Sequence, residues 1–203
     1  MRQIWLRREG AEEAIVVFGG WALGTSIVSN LAGPQDVLFV DDWRQLSPLE
    51  GIADYASLHL AAFSYGIAAA GHWLSSFTGV FRTRTAICGT LTPCDAKTGI
   101  SPVRHRAMTM SLGPDSMKAF AQAAGAAPPR DPDFGRLRDE LSCIAKRGPA
   151  PPTQFDRVWI AERDSIFPPP AQESFWQGHP GIRWIDGPHV PFALWRDWRE
   201  VLP

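Results

Sequence analysis

Three side chains that can share proton-transfer chemistry follow one another at wide spacing along the chain. Ser64 lies in Ala62-Phe63-Ser64-Tyr65-Gly66, Asp164 in Glu162-Arg163-Asp164-Ser165-Ile166-Phe167-Pro168, and His189 in Asp186-Gly187-Pro188-His189-Val190-Pro191-Phe192. A neutral hydroxyl is a weak nucleophile until a positioned base removes its proton, and that base needs an acid to fix its tautomer and stabilise its cation. Ser64 as nucleophile, His189 as base and Asp164 as acid fill those roles. The serine segment departs from the common GxSxG by the methyl group of Ala62. Small residues two before and two after the serine are still what a strained strand-to-helix turn requires. A plainer reading makes Ser64 a helix N-cap and Asp164 the cap of a helix beginning near Phe167, with Asp186 as a rival acid.

A nucleophilic serine also needs two N–H donors for the oxyanion, one from the residue after it and one from the loop after an early strand. Tyr65 supplies the first. Phe18-Gly19-Gly20-Trp21 suits the second, with the main-chain N–H of Trp21 as the donor and its indole either lining an acyl pocket or simply packing. The remaining histidines have weaker claims: His59 lies within a strand pattern, His72 in a helix pattern, His105 in a helical segment and His179 before the last strand. Cys94, in Pro93-Cys94-Asp95, has neither a helix start after it nor an obvious base. The chain lacks HExxH, GxxxxGK[ST] and a strand-borne GxGxxG, so metallopeptidase, P-loop and dinucleotide readings lack their motifs. No metal or cofactor is expected.

The elements that must position these residues are legible in the apolar runs. Ala14–Phe18, Val37–Val40 and Leu58–Phe63 read as strands covered on both faces, and Thr85–Cys88, Arg157–Ala161 and Ile182–Ile185 as further strands. Met1–Leu6 reads as an edge strand, and an Ala-rich helix runs from the Ser64-Tyr65-Gly66 turn to about Ser75. Strands alternating with helices imply a mostly parallel sheet with helices on both faces. Ser64, Asp164 and His189 then fall in three loops at the carboxyl edge of that sheet, in the chain order of an α/β-hydrolase fold.

Between about residues 101 and 152 the strand pattern stops, and two helical segments, Ser116–Ala124 and Asp133–Lys146, predict a helical insertion that could serve as a lid. It holds eight basic and five acidic residues, a net +3 against −4 for the rest of the chain. That asymmetry suits an ordinary solvated face or a docking patch for an acidic partner.

With 203 residues and a formal charge of −1, the chain reads as one α/β domain rather than a basic nucleic-acid binder or a disordered chain. No apolar run approaches a membrane span, and Met1–Gly10 lacks the apolar core of a signal peptide, so a cytoplasmic location is expected. Cys88, Cys94 and Cys143 form no CxxC pair and read as reduced thiols.

Taken together, Phe18-Gly19-Gly20-Trp21, Asp41-Asp42-Trp43, Ala62-Phe63-Ser64-Tyr65-Gly66, Cys88-Gly89-Thr90 with Pro93-Cys94-Asp95, Arg163-Asp164-Ser165-Ile166-Phe167 and Gly187-Pro188-His189 resemble the BioG-type pimeloyl-[acyl-carrier protein] methyl ester esterases of biotin synthesis. The resemblance spans most of the chain in the family's order, and the Gly-Thr-x-x-Pro-Cys-Asp segment is its most distinctive part. It implies hydrolysis of the methyl ester of pimeloyl-acyl carrier protein, with Ser64, Asp164 and His189 as the triad and Trp21 and Tyr65 as oxyanion donors. The chain departs from the family in Gly20-Trp21-Ala22, where Gly-Trp-Gly is usual, and in Tyr65, where the elbow carries Met; both bear on the shape of the acyl pocket. An acyl carrier protein is acidic, so Arg104, Arg106, Arg136 and Arg138 are candidate docking contacts. The residues alone reach only a serine hydrolase. An acyl thioesterase or a short-chain carboxylesterase would use the same triad, separable by comparing substrates. A non-catalytic hydrolase-like binding protein would leave Ser64 unlabelled by a fluorophosphonate.

Overall fold

The computed structural model describes residues 1–203. Seven strands form one sheet in the order β1-β3-β2-β4-β5-β6-β7: β1 (Arg2–Arg7), β2 (Glu13–Phe18), β3 (Asp36–Asp41), β4 (Ser57–Phe63), β5 (Thr83–Ile87), β6 (Arg157–Ala161) and β7 (Ile182–Ile185). All neighbours pair in parallel except β1, which runs antiparallel to β3 at the edge. The apolar runs explain this ranking. β2, β3 and β4 are buried almost throughout, whereas β1 and β7 alternate between partial and full exposure as edge strands do. The result is an α/β-hydrolase fold.

The sheet reverses direction of growth between β2 and β4, which lie side by side with Phe18 opposite Ala62. Chain leaving β2 turns toward β3 and chain leaving β4 turns the other way. Their carboxyl ends therefore mark the topological switch point at which open α/β sheets place their sites. The Gly19-Gly20-Trp21 loop and Ser64 meet there.

Helix α1 (Tyr65–Leu74) follows β4 directly, and α5 (Pro169–Trp176) and α6 (Trp198–Val201) follow β6 and β7. Between β5 and β6 lie three helices, α2 (Pro102–Met110), α3 (Pro114–Ala124) and α4 (Phe134–Arg147), where the sequence pattern predicted two. The helix that the pattern missed, α2, buries only His105, so no apolar stripe announces it. Its start signal is nevertheless present: Ser101 caps the Arg104 N–H and Pro102 occupies the first turn. The expected strand Thr85–Cys88 ends one residue sooner, because Cys88 turns to φ 51°, although its N–H still donates to the Trp159 carbonyl. No helix is long and apolar enough to cross a membrane.

Helix α4 is fixed to the end of β3 through both polar groups of a single residue. Glu140 accepts from the N–H of Trp43, and two turns later Arg147 donates to the Trp43 carbonyl at 2.7 Å. Trp43 is itself fully buried and stacked on Phe18, with ring centroids 5.3 Å apart and planes inclined by 4°. The helical segment is therefore anchored beside the strands that form the switch point.

Candidate active site

Strand β4 ends at Phe63, and Ser64 takes φ 56°, ψ −128° before α1 begins. This backbone is rare for a non-glycine residue and typical of strain held at a functional turn. The turn closes only because its neighbours are small. A Cβ on Gly66 would lie 2.4 Å from the carbonyl oxygens of both Phe18 and Gly19, so α1 packs its first turn directly onto the end of β2. A Cβ on Gly20 would strike the Phe63 ring at 2.7 Å and approach the Ser64 Cβ to 3.3 Å, which sets the Gly19-Gly20-Trp21 loop against the serine.

His189 Nε2 lies 3.0 Å from Ser64 Oγ, and His189 Nδ1 lies 2.7 Å from Asp164 Oδ2. A carboxylate accepts only, so Nδ1 carries the proton and Nε2 is left to accept from the serine hydroxyl. All three residues are buried. The imidazole rests on Phe63 with ring centroids 4.9 Å apart, and Phe192 packs edge-on against the same phenyl ring. The two loops that carry Asp164 and His189 are joined directly, since the Arg163 N–H donates to the Gly187 carbonyl. Both loops also bind the last carbonyls of α3: Ser165 Oγ donates to Ala123 and the Val190 N–H to Ala124. The helical segment thereby helps to hold the loops in place.

Asp164 is not the cap of the following helix, because α5 begins at Pro169 with Pro168 as its N-cap, and it closes the turn ahead of that helix instead. One oxygen, Oδ1, accepts from the N–H groups of Ile166 and Phe167 and so closes a turn, while Oδ2 faces His189. The rival acid Asp186 points outward and pairs with Arg163 at the surface. The other histidines are engaged elsewhere: His59 with Thr83, His72 with the Gly148 carbonyl, His179 with the Phe155 carbonyl, and His105 with Tyr65 and Leu141.

The N–H groups of Trp21 and Tyr65 both stand free. Trp21 lies in no helix or strand and its N–H makes no hydrogen bond, and Tyr65, the first residue of α1, has no carbonyl one turn earlier to bind. The helix N-terminus adds a partial positive charge beside Ser64. The Trp21 indole is committed to the core. Its Nε1 donates to the Leu137 carbonyl of α4 at 3.0 Å, and its ring meets Phe120 of α3 edge-on. The Tyr65 phenol is buried, which pushes its pKa well above the ordinary value of 10. Burial likewise pushes the Cys94 thiol up to about 11, which keeps it protonated and unactivated near neutrality.

The four candidate docking arginines divide into two pairs. Arg104 and Arg106 are exposed on α2, where Arg104 donates to the Ser165 carbonyl and flanks exposed Val103 and Met110. Arg138 is spent on the Thr109 and Leu112 carbonyls at the end of α2, and Arg136 lies 3.9 Å from Asp42. Sequence reasoning did not single out Gln172, a fully buried residue of α5 whose amide reaches the Asp164 carboxylate at 3.0 Å. Nor did it foresee the tie between Tyr65 and His105. The distinctive Gly-Thr-x-x-Pro-Cys-Asp segment forms a self-closed loop. In it Asp95 Oδ1 accepts from the Lys97 and Thr98 N–H groups and the Thr98 hydroxyl, and Thr90 donates to the Thr98 carbonyl.

Similar proteins share this architecture. BioG from Haemophilus influenzae superposes with a TM-score of 0.90 at 23% identity, with 99% of both chains covered. The esterase EaEST from Exiguobacterium antarcticum superposes at 0.65 and 17% identity, covering 94% of this chain and 88% of its own. A curated protein of Bacteroides fragilis (strain 638R), malonyl-[acyl-carrier protein] O-methyltransferase, is 30% identical over 198 residues, which take in 88% of this chain. The chain spans only 39% of the length of that relative. The profile of the family described as pimeloyl-ACP methyl esterase BioG matches residues 1–126, well over half of the sequence, and the chain belongs to that family.

Proposed function

We propose that this chain is a serine carboxylesterase that hydrolyses the methyl ester of pimeloyl-[acyl-carrier protein], the step that frees the carboxylate in biotin synthesis. The observation that carries the reading is the hydrogen-bonded sequence Ser64–His189–Asp164 at a φ-positive turn in a chain of the BioG family. The family match ends at residue 126, so the roles of Asp164 and His189 rest on geometry.

In this mechanism Ser64 Oγ attacks the ester carbonyl as His189 Nε2 takes its proton. Asp164 keeps the proton on Nδ1 and stabilises the imidazolium. The N–H groups of Trp21 and Tyr65 donate to the oxyanion, whose charge appears only as the tetrahedral intermediate forms. The imidazolium then protonates the departing methoxide, which leaves as methanol, and the acyl group stays on Ser64. Water, deprotonated by His189, attacks the acyl-enzyme and releases the pimeloyl carboxylate and free serine. Arg104 and Arg106 on α2 receive the acidic carrier protein.

The test is hydrolysis of pimeloyl-acyl carrier protein methyl ester by wild type and Ser64→Ala, with a short-chain p-nitrophenyl ester run alongside. Turnover of the carrier-bound ester that disappears with Ser64 is the expected result. Turnover of the small ester alone would keep the triad and discard the substrate, and a protein that neither turns over an ester nor labels with a fluorophosphonate would be a binding scaffold.

A further inference from the structure

The carboxylate of Asp164 receives four donors, and only three of them belong to its turn or to the histidine. Oδ1 accepts from the N–H groups of Ile166 at 2.9 Å and Phe167 at 2.7 Å, and Oδ2 accepts from His189 Nδ1 at 2.7 Å and from Gln172 Nε2 at 3.0 Å. Gln172 is fully buried in the first turn of α5, and the same nitrogen donates to the Phe167 carbonyl at 2.6 Å. Both partners are acceptors, so the amide has one admissible orientation. Its Oε1 meets no donor of the chain, which places whatever the side chain contributes on the nitrogen.

The two main-chain donors grip only Oδ1. A carboxylate turns about its last torsion as one plane, so donors on both oxygens, from the turn on one side and from α5 on the other, set that plane together. Oδ2, the oxygen His189 requires, is fixed by a donor that approaches from another element. The Ala171 and Gln172 N–H groups already bind the Pro168 carbonyl, closing the first turn of the helix without the side chain.

We infer that Gln172 is a positioning residue that holds Asp164 Oδ2 where it accepts the hydrogen bond from His189 Nδ1–H. The inference rests on the reading of Ser64, His189 and Asp164 as a catalytic triad. The amide itself touches neither substrate nor the reacting atoms, and it acts through Asp164.

The experiment pairs Gln172→Leu and Gln172→Met with wild-type and Asp164→Ala backgrounds. It measures kcat and KM on a short-chain p-nitrophenyl ester, with thermal melts to certify folding. In the wild-type background kcat falls about tenfold with KM unchanged, the scale of one lost hydrogen bond to a charged group. In the Asp164→Ala background the same substitution changes nothing further, because the groups it couples are no longer both present. The far-downfield proton resonance of His189 Nδ1–H also moves upfield in Gln172→Met, which keeps the length of the side chain if Gln172→Leu fails to fold. A folded variant with wild-type kcat and an unmoved resonance, or a loss that persists without the Asp164 carboxylate, would overturn the inference. Ser64→Ala separates the two layers. Wild-type turnover without Ser64 would sink the triad itself, whereas Ser64-dependent turnover that is indifferent to Gln172 removes the positioning role alone.

Discussion

The hydroxyl of Tyr65 lies 2.8 Å from Nδ1 of His105, with both side chains buried. His105 Nε2 faces the Leu141 carbonyl at 3.0 Å, and a carbonyl can only accept, so Nε2 holds the ring proton and the tyrosine donates to Nδ1. Burial lowers the pKa of this histidine, in keeping with a neutral ring. The residue directly after Ser64 is thereby linked through α2 to α4.

Tyr65→Phe removes the donor and leaves a buried nitrogen unpaired. The expected loss of stability is about 1–3 kcal/mol, measured by urea unfolding at pH 8. Adding His105→Leu to that variant removes the orphaned nitrogen, so the double variant should cost less than the two single losses combined. Strict additivity would show that the two side chains do not interact.

Glu140 gives a pH dependence of defined sign. Desolvation by burial, reinforced by Asp42 and Asp41, raises its pKa from 4.5 to about 7 against the N–H of Trp43, which lowers it. The folded protein thus keeps a proton that an unfolded chain gives up near 4.5, and stability falls as pH rises through the window from 4.5 to about 7. Glu140→Gln retains the acceptor for Trp43 without the charge. Its stability should lack this decline and exceed wild type at pH 8, by on the order of 3 kcal/mol. Parallel wild-type and variant curves of Tm against pH would contradict the assignment.

Gly66 is the tightest joint of the elbow, and Gly66→Ala tests it. Its Cβ would meet two main-chain carbonyl oxygens at 2.4 Å, and main chain has no rotamer with which to yield. A loss at the upper end of the usual overpacking range, about 3 kcal/mol, is expected, together with weaker fluorophosphonate labelling of Ser64. A variant that melts and labels like wild type would mean that the turn has more room than these distances allow.

Much of this architecture can be read from the sequence, because it depends on local pattern. β6 and β7 begin and end where their apolar runs do, at Arg157–Ala161 and Ile182–Ile185, and the elbow lies where a buried run meets an Ala-rich helix. What could not be read depends on how distant segments meet. Helix α2 fully buries only His105, so no periodicity marks it. Gln172 matters only because α5 folds back beneath the Asp164 turn. Likewise, charge identifies Arg138 as basic but does not reveal that its guanidinium is occupied by the carbonyls of Thr109 and Leu112.

That division among the arginines sharpens the docking prediction. Arg104 and Arg106 stand exposed on α2 beside Val103 and Met110, which are 81% and 72% exposed, so this face offers apolar surface flanked by positive charge. An acidic carrier protein bound there is drawn by charges in water, which act mainly on encounter and are screened by salt. Arg106→Glu, which leaves the bond from Arg104 to Ser165 in place, should raise KM for the carrier-bound ester several-fold, leave kcat little changed, and leave a p-nitrophenyl ester untouched in both constants. Salt should weaken the wild-type reaction with the carrier-bound ester and have less effect on the variant. Arg138→Glu is the contrasting case: its damage should appear as a lowered Tm and on both substrates alike, because that side chain closes α2 and faces no partner. Equal losses on both substrates in Arg106→Glu would move the carrier to another face of the protein.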